Sequence, residues 1–308
     1  MADKPQPHGW LILDKPRGLG STQAVGAVKR NLREAGYGKV KVGHGGTLDP
    51  LAEGLLPIAL GEATKLAGRM LDASKVYDFT IAFGAETDTL DTEGEVVSQS
   101  NVFPAQAEIA AILPLFTGPI EQMPPAFSAL KVGGKRAYDL ARQGQDVALA
   151  TRAVTIHRFE LLDVQSARAT LRAHVSKGTY VRSLARDIAR ALGTVGHVAY
   201  LRRLRAGPFG EEQAISLDKL NEIGKGARLQ DHLLPLEAGL DDIPALALDP
   251  TSAQAVRQGR ELSGLPHADG LHFAKLGDVP IALMEVQGGT ARVVRGFNLP
   301  IDVAEYRE

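Results

Sequence analysis

Cysteine is absent from the 308-residue sequence, which excludes disulfides and thiolate metal sites and fits a reducing compartment. Long apolar runs are also missing, since none approaches the roughly 20 residues that cross a bilayer. The first residues lack the basic and apolar regions of a signal peptide. These absences predict a cytoplasmic protein that does not contact a membrane.

Excess positive charge is missing from the chain as a whole, whose net charge is −1. The charges are unevenly distributed, however. Residues 165–205, here called the basic run, contain nine lysines and arginines and one acid, whereas residues 211–308 contain sixteen acids and nine basic residues. A basic segment can hold phosphates while an acidic remainder keeps the protein soluble. We interpret the basic run as a nucleic-acid-binding region in preference to a solvated helix face.

Length and hydropathy patterns predict two domains of α/β (α+β) architecture. Period-2 alternation or short apolar runs predict strands at 9–16, 55–60, 76–83 and 169–175, and helical spacing predicts helices at 21–32, 63–71, 105–115 and 180–192. Pro57 suggests that its strand lies at a sheet edge or contains a bulge. Arg182, Arg186 and Arg190 recur every four residues, which places them on one outward helix face.

Proline, glycine and basic residues mark an insertion at about 123–147. The acidic, proline-containing segment 234–244 is interpreted as a linker. Beyond it, residues 281–286 and 291–296 flank Gln287–Thr290, a pattern typical of a β-hairpin. We therefore predict a larger domain at 1–240 and a small β-rich domain at 241–308.

One carboxylate stands out in the glycine-rich stretch Gly43–Pro57. Its glycines, at positions 43, 45 and 46, allow another molecule to approach the backbone closely. Pro50 favours an extended conformation at Asp49, so that the side chain is presented outward. The pattern indicates a single acid displayed to a large substrate.

This stretch resembles the catalytic motif of the TruB family, the tRNA pseudouridine-55 synthases. Other segments resemble the family in the same order, between residue 9 and about residue 210: Trp10–Pro16, Gly43–Lys65, Tyr77 with Gly84–Asp91, Phe127–Lys131 with Arg142–Gly144, Ser176–Arg182 and Tyr200–Arg203. The resemblance implies the pseudouridine-synthase fold, a mixed β-sheet core with flanking helices and an RNA-binding insertion. It also implies, more loosely, a PUA-like C-terminal domain.

The resemblance implies isomerisation of the T-loop uridine at position 55 of tRNA, after the base has flipped into a pocket. The reaction has no redox change or net hydrolysis, so neither a metal nor a cofactor is expected. By resemblance, Asp49 is the nucleophile, Arg182 is its cationic partner and Tyr77 is the stacking residue. From its pattern alone, Tyr77 shares a strand face with Phe79 and Ile81, which favours core packing. Attack by Asp49 at C6 or at C1′ is left open.

Further positions are assigned by the same resemblance. His44 corresponds to a contact with the flipped RNA loop, Tyr180 and Leu201 to the uracil pocket, and Asp91 to an acidic position near the site. Lys65 either supports the site or is structural. A lone histidine without a second ligand does not predict a metal site. RNA contacts are predicted for the following basic residues: Lys131, Arg136, Arg142, Lys177, Arg186, Arg202 and Arg203. The expected partner is the tRNA T stem-loop, with a monomeric protein and no required protein partner.

The chain departs from the family pattern at Gly45, where threonine is usual, so the details of the loop contacts are less well defined. Three other functions were weighed. An RNA-folding or RNA-binding protein with secondary catalysis is disfavoured by the intact Asp49, Tyr77 and Arg182. A guide-RNA-dependent, dyskerin-type synthase is disfavoured by the basic insertion. A metal-dependent nuclease using Asp49 and His44 lacks an accompanying acidic cluster.

Overall fold

The computed structural model describes residues 4–128, 130–143 and 149–300. Its strands are β1 Gly9–Lys15, β2 Val42–His44, β3 Glu53–Leu60, β4 Lys75–Phe83, β5 Ala85–Thr87, β6 Val96–Gln99, β7 Gly118–Gln122, β8 Lys131–Val132, β9 Lys135–Arg136, β10 Arg152–Gln165, β11 Arg168–Val175, β12 Gly196–Ala206, β13 Ala214–Ser216, β14 Ala245–Ala247, β15 Leu262–Ser263, β16 Gly270–Leu276, β17 Val279–Gln287 and β18 Thr290–Gly296. Its α-helices are α1 Ser21–Glu34, α2 Ala67–Asp72, α3 Gln106–Ile112, α4 Ala137–Arg142, α5 Val181–Ala191, α6 Leu217–Gly224 and α7 Pro250–Arg257. Short 3₁₀ helices lie at Gly61–Leu66, Leu113–Phe116, Glu211–Gln213, Leu229–Asp231 and Leu236–Gly239.

A mixed nine-stranded sheet forms the centre of the larger unit. Eight strands follow the order β13-β1-β3-β12-β4-β11-β10-β7, and β2 pairs with β3. Phe79, Ile81 and Phe83 alternate along β4 and point into a core that α1, α5 and α6 cover. The predicted mixed sheet with flanking helices is confirmed.

Helix α1 shows why the helices form where they do. The N–H of Gly20 donates to Oε1 of Gln23 at 2.8 Å, which satisfies a backbone donor at the helix start. Ala24, Val28 and Leu32 recur at helical spacing and are buried against the sheet. Gly36, with φ +85°, then ends the helix.

Pro57 does not lie at the edge of the sheet, because β3 pairs with β1 along its whole length. On its other side, β3 pairs with β12 only at Glu53 and Gly54 and with β2 only from Ile58 onward. Pro57 therefore lies between these two pairings, where its carbonyl accepts from the Gly45 N–H at 2.8 Å and its missing N–H falls outside the registered ladder. The expectation that Pro57 lies in an edge strand was wrong, because β3 has partners on both sides. Pro57 itself, however, is in register with β1 alone among the described strands.

Several elements differ from the predicted ones. The helix expected at 63–71 begins as a 3₁₀ turn and becomes α-helical only at Ala67. Strands β10 and β12 were not predicted, and β12 lies at the centre of the sheet, between β3 and β4. The insertion folds as the β8–β9 hairpin followed by α4, while its residues 129 and 144–147 lie outside the described part of the chain.

A second sheet, of order β14-β16-β17-β18-β15, forms the C-terminal unit together with α7. The β17–β18 hairpin is the predicted one, closed at Gln287 and Thr290. Phe273, Leu283 and Phe297 of this unit pack with Trp10 and Met70 of the larger unit in a shared apolar cluster. The domain boundary predicted at 240/241 falls in the connection before β14 and stays a prediction. Among the described helices, none is long and apolar enough to cross a membrane.

Candidate active site

Residues 46–52, here called the aspartate loop, are held from below by Arg203. This arginine is 1% exposed on β12. Its guanidinium donates to the carbonyl oxygens of Leu55 at 2.7 Å, Gly46 at 3.2 Å and Thr47 at 3.4 Å. The predicted role of Arg203 in RNA binding does not fit this placement, because a buried guanidinium that is engaged with carbonyls cannot reach a phosphate. Arg203 instead fixes the backbone that carries Asp49.

Ser21 fixes the middle of the aspartate loop. Its hydroxyl both donates to the Leu48 carbonyl and accepts from the Leu48 N–H, each at 2.8 Å. The N–H of Gly18 donates to the Pro50 carbonyl at 2.7 Å. Asp49 is therefore presented from a backbone that is bonded on both sides of it.

Lys15, fully buried at the end of β1, supports the same loop. Its ammonium donates to the carbonyls of Pro16 at 3.1 Å, Leu19 at 2.7 Å and Ala52. Burial lowers the pKa of Lys15 to about 8, although the Asp49 carboxylate opposes this shift. The sequence interpretation used Lys15 only as the end of a strand. A lysine that continues an apolar strand was the signal that could have identified it.

Asp49 forms an ion pair with Arg182, its Oδ2 lying 2.9 Å from Nη2. The side chain of Arg182 is 7% exposed, whereas that of Asp49 is 37% exposed. Arg182 also donates to the carbonyls of Thr89 and Phe127, both at 3.0 Å. The cation is thus fixed by the protein, and the carboxylate remains accessible to a substrate. The sequence predicted that Arg182 points outward from its helix, but in the structure its side chain points inward.

Asp91 is a second carboxylate that contacts Arg182. It is 2% exposed and lies 3.4 Å from Nη1 of Arg182. It accepts hydrogen bonds from the Thr89 hydroxyl at 2.6 Å and the Glu93 N–H at 2.9 Å. The intervening Leu90 has φ +64°, a strained conformation for a non-glycine residue. This turn therefore stores strain while it orients the arginine.

A cavity of about 290 Å³ opens beside Asp49 and Arg182. The aspartate loop forms one wall and residues 175–182 form another. Tyr77, Tyr180 and Leu201 supply aromatic and apolar surface to its lining. The cavity has the combination of apolar faces and a few fixed charges that suits a flat heterocyclic base.

The two tyrosines are placed differently. Tyr77 is half-buried on β4, where it both lines the cavity and packs against the core, so the two interpretations of its pattern are compatible. Tyr180 precedes α5, and its backbone exchanges hydrogen bonds with the buried Gln122 side chain at 2.8 and 3.2 Å. The Arg152 guanidinium lies 5.3 Å from the Tyr180 ring centre. Gln122 and Arg152 were not identified from the sequence.

Lys75 is the second buried lysine near the site, and it lies in the cavity wall. Its ammonium donates to the carbonyls of Met70 at 2.8 Å, Leu71 at 2.8 Å and Ala73 at 2.6 Å. Burial lowers its pKa to about 8, and Arg203 acts in the same direction. This residue, too, was missed in the sequence.

His44 ends β2, just before the aspartate loop. Its Nδ1 atom is buried without a hydrogen-bond partner. Burial lowers the pKa of the imidazole, and Arg203 lowers it further. The ring is therefore neutral at pH 7. In the parts of the chain that are described, no group of three His, Asp or Glu side chains could hold a metal ion.

Gly45 is explained by close packing. A Cβ atom at this position would lie 2.5 Å from Cβ of Met70, which is much shorter than a normal contact. Any side chain at residue 45, including the threonine usual in the family, requires the backbone around Met70 to shift.

The other predicted residues lie away from the cavity or are engaged elsewhere. Lys65 contacts Glu62 at 2.6 Å and the Gly296 carbonyl of the C-terminal unit at 2.8 Å, and it does not line the cavity. Arg202 pairs with three carboxylates, those of Asp14, Glu53 and Glu211. This pairing leaves Arg202 poorly suited to the predicted phosphate contact.

Five more predicted RNA contacts lie in the insertion or in residues 177–186. Lys177 pairs with Asp72 at 2.9 Å, and Arg186 pairs with Asp187 at 2.8 Å. Arg142 lies over the Tyr138 ring, 4.3 Å from its centre, while Lys131 and Arg136 occupy facing positions of the β8–β9 hairpin. Lys131, Arg136 and Arg142 belong to the insertion, whereas Lys177 lies in the 175–182 wall of the cavity and Arg186 follows it in α5.

Residues 32–181 match the TruB family pseudouridylate synthase N-terminal domain, and residues 182–241 match the tRNA pseudouridylate synthase B C-terminal domain. The chain belongs to the TruB family. Within this family, a protein of Novosphingobium aromaticivorans named tRNA pseudouridine synthase B is 67% identical over 302 residues, covering 96% of this chain and 99% of that protein. A protein of the same name from Zymomonas mobilis is 59% identical over 291 residues, covering 94% and 96%.

Chains of similar fold occur in solved H/ACA RNP structures. An H/ACA RNP bound to a substrate RNA containing 2′-deoxyuridine has a chain that is 25% identical, with a TM-score of 0.72, covering 96% of this chain and 86% of that one. An archaeal box H/ACA sRNP Nop10–Cbf5 complex gives 25% identity and a TM-score of 0.71, covering 98% and 88%.

Proposed function

We propose that the protein converts the T-loop uridine at position 55 of tRNA into pseudouridine, with Asp49 as the nucleophile. It acts in the cytoplasm as a monomer, without a metal, a cofactor, a guide RNA or a required protein partner. As a TruB-family member, the chain is a pseudouridine synthase. Relatives that cover nearly all of it are named tRNA pseudouridine synthase B, which supports tRNA as the substrate.

The observation that carries the proposal is the Asp49–Arg182 ion pair at the edge of the cavity. A nucleophilic carboxylate must stay ionised after a base has displaced water from the site. A guanidinium held by Asp91 and two carbonyls supplies that stabilisation without moving. Because Asp49 keeps exposed surface, it can leave the pair to attack.

The bond changes are balanced without a redox partner. The N1–C1′ bond of uridine breaks and a C1′–C5 bond forms, while C5 loses a proton and N1 gains one. Asp49 forms a transient bond to C1′ or to C6, and the detached base turns within the cavity. Tyr77, which lines the cavity, stacks on the base and moves the proton, while Tyr180 and Leu201 enclose the base.

The remaining residues hold the RNA. The neutral His44 ring contacts the loop from which the base has been flipped. Lys131, Arg136 and Arg142 of the insertion, with Lys177 and Arg186, contact phosphates around the cavity. Lys65 supports the site indirectly, by joining the 3₁₀ helix Gly61–Leu66 to Gly296 of the C-terminal unit.

The test is pseudouridine mapping on an unmodified tRNA transcript incubated with purified protein in EDTA. We expect one T-loop uridine to be converted by the wild type and by Asp163→Asn, a control at an exposed acid near the end of β10. Asp49→Asn is expected to reduce the rate by on the order of 10⁴-fold or more, because it removes the nucleophile and keeps the shape. Binding without conversion by the wild type would reject the proposal. Conversion that appears only with an added guide RNA would favour the guide-dependent alternative.

A further inference from the structure

A groove of about 530 Å³ lies outside the candidate active site. Its walls come from α1, from the segment that leads into β2, and from the 3₁₀ helix Gly61–Leu66. Lys29, Lys39 and Lys41 line it, together with Val42 and Thr64. We call this feature the lysine groove.

The three lysines are exposed and lack acidic partners. Within residues 4–128, 130–143 and 149–300, no carboxylate lies within the 4.0 Å of an ion pair from any of them. Arg30 and Arg33, on the exposed side of α1, are in the same situation. Five like charges without an ion-pair partner in the described part of the chain favour a local positive field, which attracts an anionic ligand.

The groove is joined to the active site through the chain itself. Lys41 directly precedes β2, which ends at His44, and the aspartate loop follows. At roughly 3.3 Å per residue, a strand covers about 10 Å between Lys41 and His44. The Gly61 N–H donates to the Lys41 carbonyl at 2.9 Å, so the position of Lys41 is fixed by the neighbouring 3₁₀ helix. A strand of RNA that reaches His44 can therefore continue into the groove.

We propose that the lysine groove binds the sugar–phosphate backbone of the tRNA substrate, beyond the nucleotides that enter the cavity. This proposal rests on the proposed function. The groove has lysines and no aromatic side chain in its lining, which suits phosphates better than bases. It therefore contributes affinity and orientation, and it leaves the choice of the uridine to the cavity.

The test compares wild type with the triple variant Lys29→Gln, Lys39→Gln, Lys41→Gln. The dissociation constant for an unmodified tRNA transcript is measured across a series of KCl concentrations. We expect the variant to bind at least about 10-fold more weakly at 0.1 M salt, with the salt slope reduced by about 2 to 3, since each lost phosphate contact changes it by roughly 0.7–0.9. The single-turnover rate at saturating RNA is expected to be unchanged, because the cavity is intact.

A control removes the same charge elsewhere, through Arg168→Gln, Lys225→Gln and Arg260→Gln, which are also exposed and outside ion pairs. A variant with arginine at positions 29, 39 and 41 is expected to keep wild-type affinity and slope. Equal slopes for wild type and the glutamine variant would overturn the proposal, as would an equal loss in the control. The wild-type rate in the same samples reports on the proposed function separately.

The RNA used in the assay identifies which phosphates are bound. If the isolated T-arm stem-loop shows the same loss as the full tRNA, the groove holds the T stem. If only the full tRNA shows it, the groove holds another arm. If neither RNA shows a loss, the groove does not bind tRNA.

Discussion

The basic run and the lysine groove are both rich in positive charge, but their side chains are engaged differently. In the basic run, six of the nine cations pair with carboxylates, and Arg203 and Arg205 donate to backbone carbonyls. In the lysine groove and the adjoining face of α1, five exposed cations have no acidic partner among the described residues. The region with the larger charge imbalance in the sequence is therefore the better neutralised one.

The sheet explains the difference. Charge counted along the chain ignores the acids that other strands bring alongside. Arg172 of β11 faces Asp78 of β4 in register, and the two form a bidentate pair at 2.7 and 2.8 Å. In contrast, α1 and the segment after it lie outside the sheet, and none of the described strands brings an acid into an ion pair with the lysines. Local composition thus indicates where along the chain the charged residues are, and the sheet topology decides which of them remain available to RNA.

The largest effect is expected from Arg182→Ala. This change leaves Asp49 without a partner and the buried Asp91 carboxylate uncompensated. We expect the free energy of unfolding to fall by about 3–5 kcal/mol and the single-turnover rate to fall on the order of 10³-fold. Urea denaturation and rapid-quench assays measure the two effects. Arg190→Ala, on the same helix, removes a guanidinium that is 57% exposed, so it is expected to cost less stability than Arg182→Ala and to leave the rate unchanged.

Arg203→Lys is expected to have the next largest effect, and it tests whether a buried arginine of the basic run touches RNA. A lysine cannot reproduce the donors to Leu55, Gly46 and Thr47, so buried carbonyls lose partners at about 1–3 kcal/mol each. We expect a loss of stability of at least about 2 kcal/mol and a rate reduced about 10–100-fold. The salt slope of tRNA binding is expected to equal that of wild type. A lower slope with normal stability would instead support the RNA contact that was predicted from the sequence.

Lys75 allows the buried cations to be tested by pH. Burial lowers the pKa of its ammonium from 10.5 in the unfolded chain to about 8. Because the folded value is the lower one, this group's contribution to stability is fully present above pH 10.5 and is lost as the pH falls through 8. We expect wild type to gain stability relative to Lys75→Met as the pH rises between these values. Urea denaturation of both proteins across that range measures the difference, and a constant difference would contradict the assignment.

The same contrast shows how far the sequence could predict the site. The motif around Asp49 and its resemblance to the TruB family were sufficient to name Asp49 and Arg182, which the fold brings within 2.9 Å. The strand pattern of Tyr77 suggested only core packing, and its place in the cavity lining became apparent from the fold.

The supporting cations were harder to identify in this way, because linear order does not show which groups a buried cation binds, even where a lysine such as Lys15 continues an apolar strand. Lys15 and Lys75 are satisfied by carbonyls of turns whose geometry exists only after folding. One signal was available: Leu201 and Arg203 are two residues apart on a strand and so share a face. Reading β12 as part of a basic run, and not as a strand, concealed the inward direction of Arg203.

The smallest effect is expected for the surface pair Arg172–Asp78. It tests the comparison with a cation of the basic run that is already paired with a carboxylate. The side chains are 40% and 18% exposed, so solvent screens their attraction. A double-mutant cycle with Arg172→Gln and Asp78→Asn is expected to give a coupling energy below about 1 kcal/mol. Arg172→Gln alone is expected to leave the salt slope of tRNA binding unchanged, because its charge is already neutralised by Asp78. If the slope fell as it is expected to fall for the groove lysines, pairing with a carboxylate would not be what removes a cation from RNA binding, and the distinction between the two regions would fail.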